Sequence, residues 1–185
     1  MANADIPRGF VPLRHRGGGL IRANEYPIAS GYNTAIYTGD AVILSSGKLA
    51  IGADDSATIL GIFVGCVFID TTGEVKFSPY WPASQATQGS VDAKALVIDD
   101  PMVSYEVQCD TGTAYVLASH AGTAVDLEKD HAGSTVTGQS GMEIDLGDTG
   151  TGQFLVIGLI DKPGNAVGVN AKVEVVIKES FLKAN

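Results

Sequence analysis

The sequence is short of most residues that carry chemistry. It has two cysteines, Cys66 and Cys109, in 185 residues. Two are too few for a disulfide framework, and single cysteines inside apolar runs read as small buried hydrophobes. The three histidines, His15, His120 and His131, sit far apart in Gly-rich or charged segments. None has a partner at zinc-ligand spacing, so they read as solvent-exposed loop residues and no metal is expected. No stretch approaches the roughly 18 to 20 apolar residues that a membrane helix needs, because the richest, residues 59–69, is short and holds two glycines. The opening "MANADIPRG" lacks a basic cluster followed by an apolar run, which predicts no secretory signal and synthesis in a cytoplasm.

Catalytic patterns are equally scarce. No serine lies in a G-x-S-x-G turn, and neither cysteine has the surroundings of a known catalytic family. "LGDTGTGQF", with Gly147 to Gly152, is followed by a strand pattern rather than a helix and has no lysine nearby. It reads as a flexible hairpin connection, not a phosphate loop. The doublets Asp54-Asp55 and Asp99-Asp100 lack the alternating acidic spacing of a calcium loop and read as turn residues. The expectation is a protein that is not an enzyme and has no cofactor.

Arginine is the last scarcity, and its placement is informative. All four, Arg8, Arg14, Arg16 and Arg22, precede Glu25. Beyond Glu25 lie nineteen acidic residues and eight lysines, so a body of net charge −11 follows a segment of +2. Such a body repels phosphate backbones and anionic membranes, which excludes nucleic acid and membrane as partners.

What is abundant is strand signal. Short runs rich in Val, Ile, Tyr and Phe recur about every ten residues between Gly, Asp and Pro turns, the spacing of a β-sandwich or barrel. Candidate strands are "TAIYTG", "AVILS", "LAIG", "TILGIFVGCVFID", "VKFSPYW", "AKALVID", "VSYEVQC", "AYVLA", "MEIDL", "QFLVIGLID" and "KVEVVIKES". In "VSYEVQC", Val103, Tyr105, Val107 and Cys109 share one face, whereas the runs ending at Ile69 and Ile160 are apolar on both. Gly61, Gly65 and Gly158 inside these runs suggest bends or bulges. One helical turn is expected around Ala124 to Gly133, capped by Asp126. The fold class is therefore all-β, a barrel or sandwich of about ten short strands preceded by an extended N-terminal arm.

The arm comprises residues 1–30, with the β domain at 31–185. Pro7, Pro12, Pro27 and the run of glycines at 17–19 disfavour regular structure. Ile6, Phe10, Val11, Leu13, Leu20 and Ile21 are too many apolar residues for a solvated tail. An extended segment lying on a protein surface satisfies both. Arginine pairs with carboxylates through its planar fork, so Arg8, Arg14, Arg16 and Arg22, with Phe10, are candidate partner-binding residues. Tyr80 and Trp81, between Pro79 and Pro82, are candidates too: Trp81 reads either as core or as an interface anchor.

The stretches "MANADIPRGFVPLRHRGGG", "ALVIDDPMVSYEVQCD", "GSTVTGQSGMEID" and "LVIGLIDKPGNAVGVNAKVEVVIKES", in that order, resemble a family of tailed-bacteriophage capsid cement or decoration proteins. The resemblance covers nearly the whole chain, although its motifs are structural. It implies a subunit on the outer surface of the virion head, bound to the major capsid protein at capsomer junctions and self-associated as a homotrimer. The alternative is another virion structural module: a head-fibre base, a tail component or a display protein contacting host glycans.

Overall fold

The computed structural model describes residues 3–53, 58–150 and 152–182, and it is nearly all β. Its strands are β1 (Val11–His15), β2 (Asn24–Ile28), β3 (Ile36–Tyr37), β4 (Ala41–Ser45), β5 (Lys48–Ile51), β6 (Gly61–Ile69) and β7 (Val75–Ser78). They continue with β8 (Tyr80–Trp81), β9 (Ala93–Ile98), β10 (Val103–Gln108), β11 (Ala124–Glu128), β12 (Glu143–Thr149), β13 (Phe154–Leu159) and β14 (Lys172–Ile177). A one-turn helix, α1 (Leu117–His120), precedes β11. The fourteen strands exceed the expected ten or so chiefly because the N-terminal segment supplies two and β11 a third.

Two antiparallel sheets dominate. The first runs β1-β10-β14-β13-β11-β12, the second β2-β9-β6-β4-β5 with β7 also on β6, and β3 and β8 form a small pair. Each large sheet curls so that its ends approach. In the first, the Asp110 amide donates to the Ile144 carbonyl at 3.0 Å, joining the end of β10 to β12. In the second, β2 packs against β5. Each sheet thus encloses its own apolar cluster. One is built around Tyr105, Val107, Leu127, Phe154 and Val175, the other around Ile28, Leu49, Phe63, Trp81 and Val97. Ala41, Ile62 and Ile98 of the second sheet enter the first cluster and join the two into a sandwich-like body.

Alternation explains most of this packing. Val103, Tyr105 and Val107 of β10 and Val173, Val175 and Ile177 of β14 all point inward and are buried. The registers of β6 and β13 slip at Phe63/Gly65 and Val156/Gly158, where two of the three expected bulges lie. Gly61 is not at a slip; the Ile98 carbonyl occupies the space of its missing side chain. Cys66 and Cys109 are free and buried, and burial pushes the Cys66 thiol up to about 12 and the Cys109 thiol up as well.

The N-terminal segment departs from the expectation. It is extended, but it is not an appendage to a domain beginning at residue 31. β1 pairs with β10 and β2 with β9, so the first thirty residues contribute a strand to each sheet. Gly9 adopts φ +65°, where a side chain would collide with the Gly39 carbonyl and Ser140. The turn delivers Phe10 into the first core. There its ring stacks on Phe154 at 4.3 Å and meets Tyr105 edge-on at 6.5 Å.

Three local readings are corrected. The turn expected at Ala124 to Gly133 is strand β11, because Val125 and Leu127 alternate inward against Asp126 and Glu128, and the period of two prevails. Within "AYVLA", Tyr115 makes only an isolated bridge to Gly168 and the chain then turns into α1. The Gly147–Gly152 stretch is not a hairpin, since β11 lies between β12 and β13. Gly152 presses on the β11 backbone, where a Cβ would fall 2.0 Å from the Val125 carbonyl carbon. The Asp54-Asp55 doublet lies outside the described residues.

Candidate interaction surface

The residues proposed for partner binding separate into four groups. Phe10 and Trp81 are core. Trp81 is 0% exposed, meets Phe68 edge-on at 5.4 Å and donates its indole N–H to the Tyr32 carbonyl at 3.3 Å. Neither ring is available to a partner in this fold. Arg14 is exposed but engaged: its Nε and Nη2 donate to the two Glu174 carboxylate oxygens at 2.9 and 2.8 Å, a fork on the chain's own β14. Arg8, Arg16 and Arg22 remain exposed and make no ion pair among the described residues. Tyr80 is half-buried and stacks on Tyr37 at 5.4 Å, because β3-β8 pairing sets these two side by side and turns Trp81 inward.

The histidines are not loose loop residues either. His15 Nε2 lies 3.0 Å from Asp100 Oδ2, and its Nδ1 accepts the Gly19 amide at 2.8 Å. His120 is buried, and its Nδ1 accepts the Val116 amide at 2.9 Å. His131 Nδ1 sits 2.7 Å from the buried Glu143 carboxylate. Gln108 then donates to Glu143 at 2.7 Å and to Asp5 at 2.9 Å, tying the N-terminal segment to β10 and β12. Burial pushes the Glu143 carboxyl up, opposed by the hydrogen bonds from Gln108 and His131. Asp100 accepts the Met102 amide at 2.8 Å, the expected turn bond, whereas Asp99 takes hydrogen bonds from Asn24 and Tyr26 of β2.

An outward-facing apolar strip lies elsewhere, on β6 and β7. Val67 pairs with Phe77 and Ile69 with Val75, so these four occupy one face of the hairpin. Phe77 is 80% exposed, and Val91 on the neighbouring loop is 69% exposed. A groove of about 390 Å³ runs between β6, β7 and the 87–92 loop, lined by Val67, Ile69, Val75, Thr87, Val91 and Lys94 among others.

Polar groups fix the rim. Asp70 Oδ1 accepts from the Thr72 hydroxyl and from the Thr72 and Glu74 amides, closing the β6–β7 turn. These bonds, with Lys76, hold its carboxyl down at about 2. Lys76 sits 2.9 Å from Glu74, Lys94 2.8 Å from Glu25, and Lys48 2.8 Å from Asp92. The apolar strip is thus bordered by neutralised charge pairs, a pattern typical of protein interfaces.

β7 also presents an open edge. The Asp70 amide donates to the Glu74 carbonyl at 2.9 Å, so the antiparallel alternation turns the backbone groups of Lys76 toward β6 and those of Val75 and Phe77 away from it. Among the described residues no other strand pairs with β7. As sequence, "VKFSPYW" reads as an ordinary strand. The available signal was Val75 and Phe77 flanking Lys76, an alternation whose apolar side has no assigned cover.

Among the described residues no group of three or more His, Cys, Asp or Glu side chains converges as a metal site, and no helix is long and apolar enough to cross a membrane. Comparison of the chain with protein families, characterised proteins and solved structures gives no match.

Proposed function

We propose that this chain is a structural virion protein of the cement or decoration type. In this reading it binds the outer surface of a phage head by surface complementarity, acts without catalysis, and self-associates as a trimer. The capsid setting rests on the sequence resemblance. The observation that carries a docking role is the exposed Ile69-Val75-Phe77-Val91 strip with its neutralised rim. Each large apolar side chain removed from water there contributes about 1.5–3 kcal/mol, so a few buried together drive association. The open edge of β7 adds backbone donors and acceptors that a partner strand can pair.

This moves the expected docking surface from the N-terminal arginines to β6 and β7, with Arg8, Arg16 and Arg22 as accessory contacts. The test is co-sedimentation of the purified chain with empty heads of the encoding phage, alongside its mass in solution. Wild type sediments with heads and Phe77→Asp remains in the supernatant. A Phe77→Asp protein that decorates heads as well as wild type overturns the surface assignment. Gold label over tails or projecting tips, rather than over the head lattice, overturns the cement role in favour of another virion module.

A further inference from the structure

The loop from Lys162 to Lys172, "KPGNAVGVNAK", connects β13 to β14 and is held with unusual completeness. Asn165 donates to the carbonyls of Ile160 and Lys172 at 2.8 and 2.7 Å and accepts the Lys172 amide at 2.8 Å. Asn3 staples the N-terminal segment onto the loop, donating to the Ala166 and Val169 carbonyls and accepting the Ala166 amide, all at 2.8 Å. Beside these bonds lies a cavity of about 90 Å³, lined by Asn3, Ala4, Lys162, Asn165, Asn170 and Lys172 among others.

Two groups in this cavity lack a partner among the described residues. Asn170 is only 8% exposed, is held at φ +55°, and its buried Oδ1 makes no hydrogen bond; its Nδ2 makes none among the described residues. A buried side-chain oxygen left without a donor is uncommon in folded proteins, so a site that retains one has a use for it. Lys172 is half-buried and makes no ion pair among the described residues. Burial first, then the nearby Lys162 and Arg8, push its ammonium group down from its ordinary value, against the charge of Glu106. Lys162 is paired with Glu106, whereas Lys172 and Arg8 make no ion pair among the described residues. In a chain of net charge −9, a local excess of cation around an unused amide is a site built for an anion.

We infer that the Lys162–Lys172 loop binds a small oxyanion, a carboxylate or phosphate group, held by the Lys172 ammonium and the Asn170 amide, with Arg8 in the adjoining pocket that Lys172 also lines. The amide serves a ligand in either orientation. Turned by half a rotation, its Nδ2 donates to an anionic oxygen while Oδ1 accepts from a neighbouring hydroxyl or amide of the ligand. The volume fits a group the size of a few water molecules and excludes a whole sugar or nucleotide. The oxyanion is either free in solution or an acidic side chain carried by a protein.

The test is NMR titration of the intact chain at low salt with inorganic phosphate, with acetate, and with a short peptide amide whose one charge is an aspartate. The expected result is a saturating shift confined to the amides of residues 162–172. Lys172→Met abolishes it and Asn170→Gly, which tolerates the left-handed backbone, weakens it at least tenfold. Lys94→Met, a lysine on the other sheet, leaves it unchanged. Tighter binding of the peptide than of acetate assigns the oxyanion to a protein partner, and equal or weaker binding assigns it to a free ion. A response that never saturates, or one that survives both Lys172→Met and Asn170→Gly in variants with otherwise unchanged spectra, overturns the proposal.

Discussion

The N-terminal segment and the β6–β7 hairpin look alike as sequence, since each interleaves aromatic and aliphatic residues with cations, yet the fold uses them in opposite directions. The segment is anchored inward at its two ends, while residues 16–25 between them are exposed. Phe10 enters the first core, Ile28 the second, and Arg14 pairs with the chain's own Glu174. The hairpin keeps Phe68 inside and leaves Val75 and Phe77 in water. The difference shows that an apolar segment needing cover is only half of a binding argument. Whether its own chain supplies the cover depends on topology, and here the first sheet leaves β10 open for β1 while nothing among the described residues covers the outer edge of β7.

The sharpest way to break this comparison is to remove the inward-facing segment. If it were an appendage, a chain lacking residues 1–28 would fold. With strands in both sheets and two core residues lost, that chain is expected to show no cooperative unfolding transition at all. Phe10→Ala, a milder version, is expected to cost about 3–5 kcal/mol in urea denaturation, the range for a fully buried aromatic ring. A cost below about 1 kcal/mol would return Phe10 to the surface.

Asp40 tests the same anchor by pH. It is buried where the segment threads past, close to the Gly39 carbonyl that accepts the Phe10 amide at 2.9 Å, and it accepts the Tyr37 amide at 2.7 Å. Burial raises its carboxyl from an ordinary 3.8 to about 6, against hydrogen bonds from Ser140 and Tyr37 and the charge of Lys129. Because the folded value lies above the unfolded one, the folded chain holds this proton more tightly. The contribution is complete below about pH 4 and is lost as pH rises through 6. Asp40→Asn removes that titration. The stability of Asp40→Asn relative to wild type is therefore expected to rise by about 3 kcal/mol between pH 3 and pH 8. A difference that stays flat across that range would show that Asp40 is solvated.

Much of the architecture was legible from alternation alone. The strands "VSYEVQC", "AKALVID" and "KVEVVIKES" declare their inward faces, and Gly65 and Gly158 mark real register slips. The hidden parts depend on contacts distant in sequence. Nothing within "PRGFVPLRHR" states that Gly9 turns against Gly39 and Ser140, so Phe10 passed for an exposed anchor. "AVDLEKDHAG" carries a cap residue and a terminal glycine as well as a two-residue alternation, and only the neighbours β12 and β13 decide for the strand. The Phe77 face was missed for the converse reason: a strand pattern gives the period of its two sides but not which side is left bare. Nothing in "GNAVGVNAK" states that the Oδ1 of Asn170 is buried without a donor, which depends on the folded loop.

The smallest expected change in folding falls on the outward-facing region, and it sharpens the contrast most. Phe77 is largely in water, so Phe77→Asp should alter stability by no more than about 0.5 kcal/mol, as for other surface positions. The same substitution places a charge on the strip and on an edge whose backbone faces outward, a combination that opposes both apolar burial and strand addition. Association and stability should therefore separate. Co-sedimentation with empty heads is expected to show Phe77→Asp losing head binding, with an unchanged urea midpoint, whereas Phe10→Ala shifts the midpoint and keeps the head binding of its folded fraction. A Phe77→Asp protein that unfolds more easily by 2 kcal/mol or so would mean that the ring is covered by its own chain, and the two regions would no longer differ in kind.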